Sequence, residues 1–355
     1  MALVEHQGRP LPVRKALGAG SSEGRKTPAV DRPLADGSRR QPRAVRSGRP
    51  VLVAVTGATG IVGRFVVERL AAEGAGIRAL VRPTSDRREL PADVEWVVGG
   101  MTDSSALSDL VEGVDAVVHC AYEHAPGRYR GGEGDDLPGF WRANLQGGVE
   151  LLRNARDAGV RRLVLMSSRA VFGQHSPPDS WVDDDTRPVP DTHYGALKVS
   201  LEAHASAFAT VDGVCFCSLR PTGVFGVTYP LERTKWLDLA LRIIRDERLP
   251  PARLATEVHG RDVAAAVWLL LTTPAERIAG CSFNCSDLIV DSRDIMAGLA
   301  DRLGVERPLP DPADNVLRNP MRGSALQSLG WCPGGDVLLE RTIGEVASAA
   351  VRLAS

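Results

Sequence analysis

The chain has 355 residues, 43% hydrophobic and 25% charged, which is globular usage and excludes a collagen-like, low-complexity or disulfide-stapled chain. That length supports one large domain or two modest ones. The net charge is -1, but residues 1–49 hold eleven Lys/Arg against four Asp/Glu; the remainder is acidic, which argues against a nucleic-acid surface.

Residues 1–49 are rich in Arg, Gly, Pro and Ser and show no apolar periodicity. Such a segment buries too little surface to offset its ordering entropy, so a disordered basic tail is expected. The six cysteines (Cys120, Cys215, Cys217, Cys281, Cys285, Cys332) have no paired C-x-x-C spacing, and no metal site is expected. Reduced cysteines, no apolar run of about 18 residues and no secretory leader give the expectation of a cytoplasmic protein without membrane contact.

Residues 51–55 form a continuous apolar run, the pattern of a parallel strand buried on both faces. A glycine-rich turn follows, then a helix over 61–72 ended near Gly74 and Gly76. Further strands are expected at 77–81, 94–98, 116–120, 162–167 and 214–219, and helices at 104–111, 140–158 and 192–210. Strand and helix alternate, which predicts an α/β fold: a Rossmann-type, doubly wound parallel sheet with helices on both faces. After about residue 225 the pattern changes to helices at 235–245, 261–273, 292–303 and 336–350, with a strand-like segment at 281–285. The expected organisation is a dinucleotide-binding domain at 50–225 and a smaller C-terminal α/β lobe at 226–355 that mainly binds substrate.

"TGATGIVG" places Gly57, Gly60 and Gly63 between a strand and a helix. Glycine lets the backbone approach a pyrophosphate, and the helix beginning at Ile61 and Val62 aims free N–H groups at its charge. An acidic residue ending the second strand would bind the ribose hydroxyl of NAD. Here Arg82 stands at that end, with Arg64 just past the last glycine as a second positive charge. A guanidinium suits a 2′-phosphate, so NADP is the favoured cofactor and NAD the alternative. Arg82 stacking on adenine, or lying in solvent, is the bland reading.

Several motifs in order resemble the extended short-chain dehydrogenase/reductase family, which includes nucleotide-sugar epimerases and dehydratases. They are "TGATGIVG", "VDAVVHCA" ending at Cys120 and Ala121, the helix asparagine Asn144, "SSRAVFG" at 167–173, "YGALK" at 194–198, "RPTGVFG" at 220–226, "VHGRDVAAAV" at 258–267 and "LGWCP" at 329–333. The resemblance covers about residues 51–331. It implies that Ser168 hydrogen-bonds the reacting oxygen, with Ser167 as its rival. Tyr194 would be the general acid/base, which needs a phenol pKa well below about 10. Lys198, one turn along the helix, would stabilise the phenolate and hold the nicotinamide ribose. Asn144 would position a water, Pro221 and Val224 would line the nicotinamide pocket, and the Met101 backbone would meet adenine because Gly100 replaces an aspartate. His119, His193 and His259 read as structural. A homodimer through the helices bearing Asn144 and Tyr194 is also implied.

The departures narrow the chemistry. Arg169 and Ala170 stand where dehydratases carry an acidic pair, so dehydration is disfavoured. Ala255 stands where epimerases carry a diphosphate-binding arginine, with Arg233, Arg253 and Arg261 the candidates to replace it. The leading expectation is an NAD(P)-dependent dehydrogenase or reductase acting on a small-molecule alcohol or carbonyl, such as a sugar derivative. A nucleotide-sugar epimerase is the alternative, and a non-enzymatic dinucleotide sensor the third reading.

Overall fold

The computed structural model describes residues 51–125, 132–174, 180–315, 317 and 319–354, so the expected tail at 1–49 lies outside the described residues. In chain order the elements are β1 (Leu52–Thr56), α1 (Ile61–Ala72), β2 (Gly76–Val81), β3 (Glu95–Val98), α2 (Ser104–Val111), β4 (Ala116–His119), α3 (Leu137–Trp141), α4 (Gly147–Asp157), β5 (Arg162–Met166), α5 (His193–Asp212), β6 (Cys215–Pro221), β7 (Gly223–Phe225), α6 (Leu237–Ile244), β8 (Leu254–His259), α7 (Gly260–Thr272), β9 (Ser282–Cys285), β10 (Leu288–Asp291), α8 (Ser292–Leu303), α9 (Ser324–Ser328) and α10 (Gly335–Ala354).

Seven strands form one sheet in the order β3-β2-β1-β4-β5-β6-β9, every pair parallel. This is the doubly wound arrangement, in which the strand order reverses between β1 and β4 and a crevice opens at their carboxyl ends. The alternation of side chains across the sheet builds two cores. Val53 and Val55 join one apolar cluster with Phe65, Val66 and Leu70 of α1 and Val263 and Val267 of α7. Ala54 points the other way, into a cluster with Leu107 of α2, Leu151 of α4 and Leu197 of α5. Cys215 and Cys217 share the first cluster, as their two-residue spacing on a strand requires.

A second, three-stranded sheet runs β10-β8-β7, with β8 antiparallel to β10 and parallel to β7. Its apolar partners come from α6, α8 and α10: Leu237, Ile243, Ile295, Leu299, Ile343 and Val346 share one buried cluster.

Two sequence expectations change. The strand at 281–285 belongs to the large sheet, not to the C-terminal lobe: β9 pairs with β6 because α7 packs on the α1 face and returns the chain to the sheet edge, where Phe283 and Cys285 enter the main core. The helix expected over 140–158 is interrupted by a π-helical turn at Arg142–Gln146. There the Asn144 amide donates to the Phe140 carbonyl at 3.0 Å, a side chain inserted into the backbone ladder.

Candidate active site

At the switch point, Gly57 holds a φ of +71°. A Cβ there would lie 2.6 Å from the Ala121 nitrogen and 2.7 Å from the Cys120 carbonyl carbon, so the ends of β1 and β4 meet only because the residue is glycine. Gly63 is tighter still, since its Cβ would stand 2.0 Å from the Gly57 oxygen. The Gly60 nitrogen donates to that same oxygen at 2.9 Å. Gly60 caps α1 without a side chain, so no cap group occupies the first-turn N–H groups of Ile61, Val62 and Gly63. A bare helix N-terminus under a glycine turn fits a dinucleotide pyrophosphate.

Beside this cradle, Thr56 ties the two strand ends together. Its carbonyl accepts from Cys120 N at 3.1 Å, its Oγ1 accepts from Ala121 N at 3.2 Å, and the same hydroxyl sits 2.7 Å from His119 Nδ1. Burial pushes the His119 pKa down to about 3 and the Cys120 thiol up to about 12, so His119 is a neutral hydrogen-bonder and Cys120 a thiol.

Arg82 lies exposed at the end of β2, 4.0 Å from Glu123 Oε2. Arg64 is differently placed from the expectation of a second charge for a 2′-phosphate. Its side chain is buried, and its Nη1 and Nη2 donate to the carbonyls of Arg88 at 2.6 Å and Asp86 at 2.7 Å. A buried guanidinium needs partners for its donors, and the loop after β2 supplies them for both Nη groups, while the buried Nε has none among the described residues. Arg64 and Arg88 both stand over the Tyr229 ring, 5.3 and 4.9 Å from its centroid. Met101 buries its side chain in the core, and its carbonyl oxygen would be 2.3 Å from a Cβ on Gly147.

The other end of the crevice gathers Ser168, Tyr194 and Lys198. Ser168 caps the turn Arg169–Phe172 by accepting from Ala170 N at 3.1 Å. Its neighbour Ser167 is buried and donates to Glu202 Oε1 at 2.5 Å; Arg220 grips that carboxylate through Nε at 2.8 Å and Nη2 at 2.7 Å. The Ser167 hydroxyl is thus committed to a structural network, whereas Ser168 is half-buried. Thr192 caps α5 by accepting from Gly195 N at 3.0 Å, and a Cβ on Gly195 would lie 2.4 Å from the Ala170 oxygen. That close approach seats the first turn of α5, with Tyr194, against the Ser168 turn.

The Lys198 ammonium is buried, donates to the Met166 carbonyl at 2.8 Å and stands 5.7 Å from the Tyr194 ring centroid. Burial pushes its pKa down to about 8, against the opposing pull of Cys120 and Glu202. Asn144 is engaged on three sides. Its Oδ1 accepts from Glu123 N at 2.7 Å, and its Nδ2 donates to Glu123 O at 2.8 Å and to Phe140 O. Both amide hydrogens therefore serve backbone carbonyls, and a water could meet this side chain only through the second lone pair of Oδ1.

Sequence reasoning missed Tyr122. Its ring lies 4.6 Å from that of Tyr194, and the Lys198 ammonium stands 5.6 Å from its centroid. The available signal was its position, one residue past Ala121 at the carboxyl end of β4, where open α/β sheets build their sites. On the facing side, β6 ends at Pro221 and β7 carries Val224. Lys235 and the buried Glu257 form an ion pair there that no local motif announces. His193 is exposed beside Trp141, and buried His259 caps α7 by accepting from Arg261 N at 3.0 Å. Among the described residues no group of three or more His, Cys, Asp or Glu is placed to hold a metal ion, and no helix is long and apolar enough to cross a membrane.

The glycine turn thus lies at the switch point of a doubly wound sheet, with Ser168 at the end of β5 and Tyr194 and Lys198 on α5. The chain belongs to the NAD dependent epimerase/dehydratase family, which residues 53–286 match. Among curated proteins it is 34% identical over 219 residues to a putative dihydroflavonol 4-reductase of Synechocystis sp., covering 59% of this chain and 60% of that one. It is 32% identical over 184 residues to a 3 beta-hydroxysteroid dehydrogenase/Delta 5-->4-isomerase of Mycobacterium tuberculosis, covering 49% of this chain and 47% of that protein. The chain thus spans about half the length of the curated relatives it matches. The fold is that of a UDP-glucose 4-epimerase of Thermus thermophilus solved with NAD, with a TM-score of 0.69 at 22% identity over 84% of this chain and 99% of the other.

Proposed function

We propose that the protein is an NAD(P)-dependent oxidoreductase acting on an alcohol or carbonyl substrate, with Tyr194 as its proton donor and acceptor. The observation that carries this reading is the buried Lys198 ammonium beside the Tyr194 ring, with the half-buried Ser168 on the adjoining turn. A fixed positive charge favours the phenolate and so makes the phenol a usable acid/base. Ser168 holds the reacting oxygen while Tyr194 gives or takes its proton. A dinucleotide whose pyrophosphate sits on the Gly57–Gly63 turn would supply the hydride donor or acceptor. Lys198 would also hold the nicotinamide ribose, with Cys120, Ala121, Pro221 and Val224 lining that end. Asn144 acts chiefly by fixing the Glu123 backbone, and through it the strand end that carries Tyr122.

NADP is the proposed cofactor. Arg82 is exposed at the end of β2, where a 2′-phosphate would lie, while Arg64 supports the site by pinning the adjoining loop rather than by direct contact. The absent diphosphate arginine at Ala255 favours this reading over a nucleotide-sugar epimerase. We also propose a homodimer through the helical segment bearing Asn144 and through α5, because Trp141 of α3, Leu145 of the π-helical turn and Val149 of α4 border a surface groove with His204 of α5. A cytoplasmic location is in keeping with six free cysteines.

The test is absorbance of reduced nicotinamide across a panel of alcohols and carbonyls, repeated with Tyr194→Phe. Net production or consumption is expected, with turnover lowered roughly 10²- to 10⁴-fold in the variant and cofactor affinity retained. Near-normal kcat in Tyr194→Phe would sink the assignment. Substrate conversion without net redox would indicate the epimerase, and nucleotide binding without turnover the sensor.

A further inference from the structure

The buried cation of the proposed active site lacks a carboxylate of its own. Lys198 is 3% exposed, and among the described residues its ammonium donates only to the Met166 carbonyl of β5 and forms no ion pair. The carboxylate that acts on it, Glu202, lies one turn further along α5. That group is already committed to the Ser167 hydroxyl and to Nε and Nη2 of Arg220 on β6. The other titratable neighbours, His119 and Cys120 at the end of β4, are a neutral imidazole and a thiol. A buried ammonium without a counterion is strongly disfavoured unless other groups meet it.

Two aromatic rings do so. The ammonium stands 5.6 Å from the Tyr122 centroid and 5.7 Å from that of Tyr194. Both lie within the roughly 6 Å reach of a cation–π contact, which strengthens where water is excluded. Tyr194 is the proposed reacting phenol, whereas Tyr122 is a ring that the proposed chemistry does not use. The Tyr122 ring is held on several sides: stacked on His124 at 5.0 Å, edge-on to Phe140 at 6.1 Å and tilted against Tyr194 at 4.6 Å. Its backbone is fixed one residue on, where Asn144 bonds both the N–H and the carbonyl of Glu123. The π-helical turn that carries Asn144 therefore anchors the strand end that presents this ring.

We propose that Tyr122 is a positioning residue whose ring face holds the Lys198 ammonium charged and in place beside Tyr194. This rests on the reading of Tyr194 as the acid/base. In the form that accepts the substrate's proton, the pair carries a proton on Lys198 and none on the Tyr194 oxygen. Without the Tyr122 ring the ammonium is less stable, and its proton passes to the phenolate. That leaves a neutral amine and a neutral phenol, and the base is lost. The π-electrons of Tyr122 do this work, and its hydroxyl does not.

The chain has four lysines, Lys15, Lys26, Lys198 and Lys235. Isotope-labelled lysine therefore gives a simple magnetic resonance spectrum, in which Lys198 is the signal missing from Lys198→Arg. Its pH titration is followed in the Tyr194→Phe background, which keeps that ring and removes the coupled phenol. Burial pushes the Lys198 pKa down to about 8. Tyr122→Leu lowers the midpoint by a further 0.4 to 1.5 pH units or so, about the worth of one cation–π contact, and Tyr122→Phe retains it. Mono-, tri- and pentafluorophenylalanine at position 122 keep the ring's shape while draining its face. They lower the midpoint stepwise, which keeps the test decisive where the leucine variant fails to fold. With Tyr194 intact, alcohol oxidation falls in step with that midpoint, by roughly 2- to 30-fold in Tyr122→Leu. A Lys198 midpoint that is the same in the phenylalanine, fluorinated and leucine variants overturns the proposal, because a ring that only fills space is insensitive to its charge distribution. A midpoint that follows the ring while the oxidation rate does not supports the hold on Lys198 and counts against Tyr194 as the acid/base.

Discussion

Replacing Gly63 by alanine tests the dinucleotide cradle at its tightest point. The added Cβ would meet the Gly57 oxygen at 2.0 Å, the Gly57 carbonyl carbon at 2.8 Å and the Ala58 Cα at 2.9 Å, where ordinary contact begins at 3.4 Å. All three are backbone atoms, so no side chain can swing aside. Relief therefore needs a relative shift of more than about 1 Å between the turn and α1, enough to take N–H donors outside the 2.7–3.2 Å range of a good hydrogen bond. Losing one or two charge-assisted bonds, at about 1.5–3 kcal/mol each, weakens the dinucleotide roughly 10- to 10⁴-fold. Calorimetric titration of NADPH and NADH reads this, with circular dichroism and thermal unfolding to confirm a folded protein. Gly60→Ala is the graded control: its Cβ meets only the Gly57 oxygen, at 3.2 Å, so a loss below about tenfold is expected for a shift of a few tenths of an ångström. A folded Gly63→Ala protein that binds dinucleotide as tightly as wild type refutes the assignment of this turn to the pyrophosphate.

Two further outcomes follow from the same geometry. Arg82→Asp should shift the preference from NADP toward NAD by about tenfold or more, because it replaces the positive group near the 2′ position with one that repels phosphate; equal affinity ratios before and after would remove Arg82 from that role. The second concerns His259, which is buried between Phe65 and Phe225 with its pKa pushed down to about 4, first by burial. Its folded pKa lies below the unfolded value near 6.5, so its contribution is fully present above that pH. It is lost on acidification at up to about 1.4 kcal/mol per pH unit between pH 6.5 and 4. Asp287, pushed up to about 6 by burial, acts with the opposite sign in an overlapping window, so total stability hides the effect. Urea unfolding of wild type minus His259→Asn, which keeps a cap for α7, isolates it, and a pH-independent difference would contradict the buried neutral imidazole.

Local sequence determined much of this protein because local interactions decide much of it. α1 at Ile61–Ala72, α2 at Ser104–Val111 and α8 at Ser292–Leu303 have the bounds that periodicity and glycine stops predict. The apolar runs of β1, β4 and β5 announce strands buried on both faces, and the alternation of strand and helix announces a parallel sheet. The glycine turn was legible as well, since only glycine tolerates the contacts at positions 57 and 63.

Tertiary structure alone decided the rest. β7, β8 and β10 are short and polar at points, and they become strands by pairing with one another rather than by propensity. β9 looks like any four-residue strand and is assigned to the large sheet only once α7 has packed on α1. Ser167 and Ser168 are indistinguishable as a dipeptide until Glu202, itself held by Arg220, accepts from the first. Arg64 reads as a cofactor ligand until the carbonyls of the loop after β2 claim its guanidinium. Lys235, just before α6, and Glu257 of β8, 22 residues apart, meet beside Gly223 of β7, where the strand carries no side chain. Helices and glycine turns are specified by neighbours in the chain, whereas the partners of a buried charge are chosen by where distant strands place them.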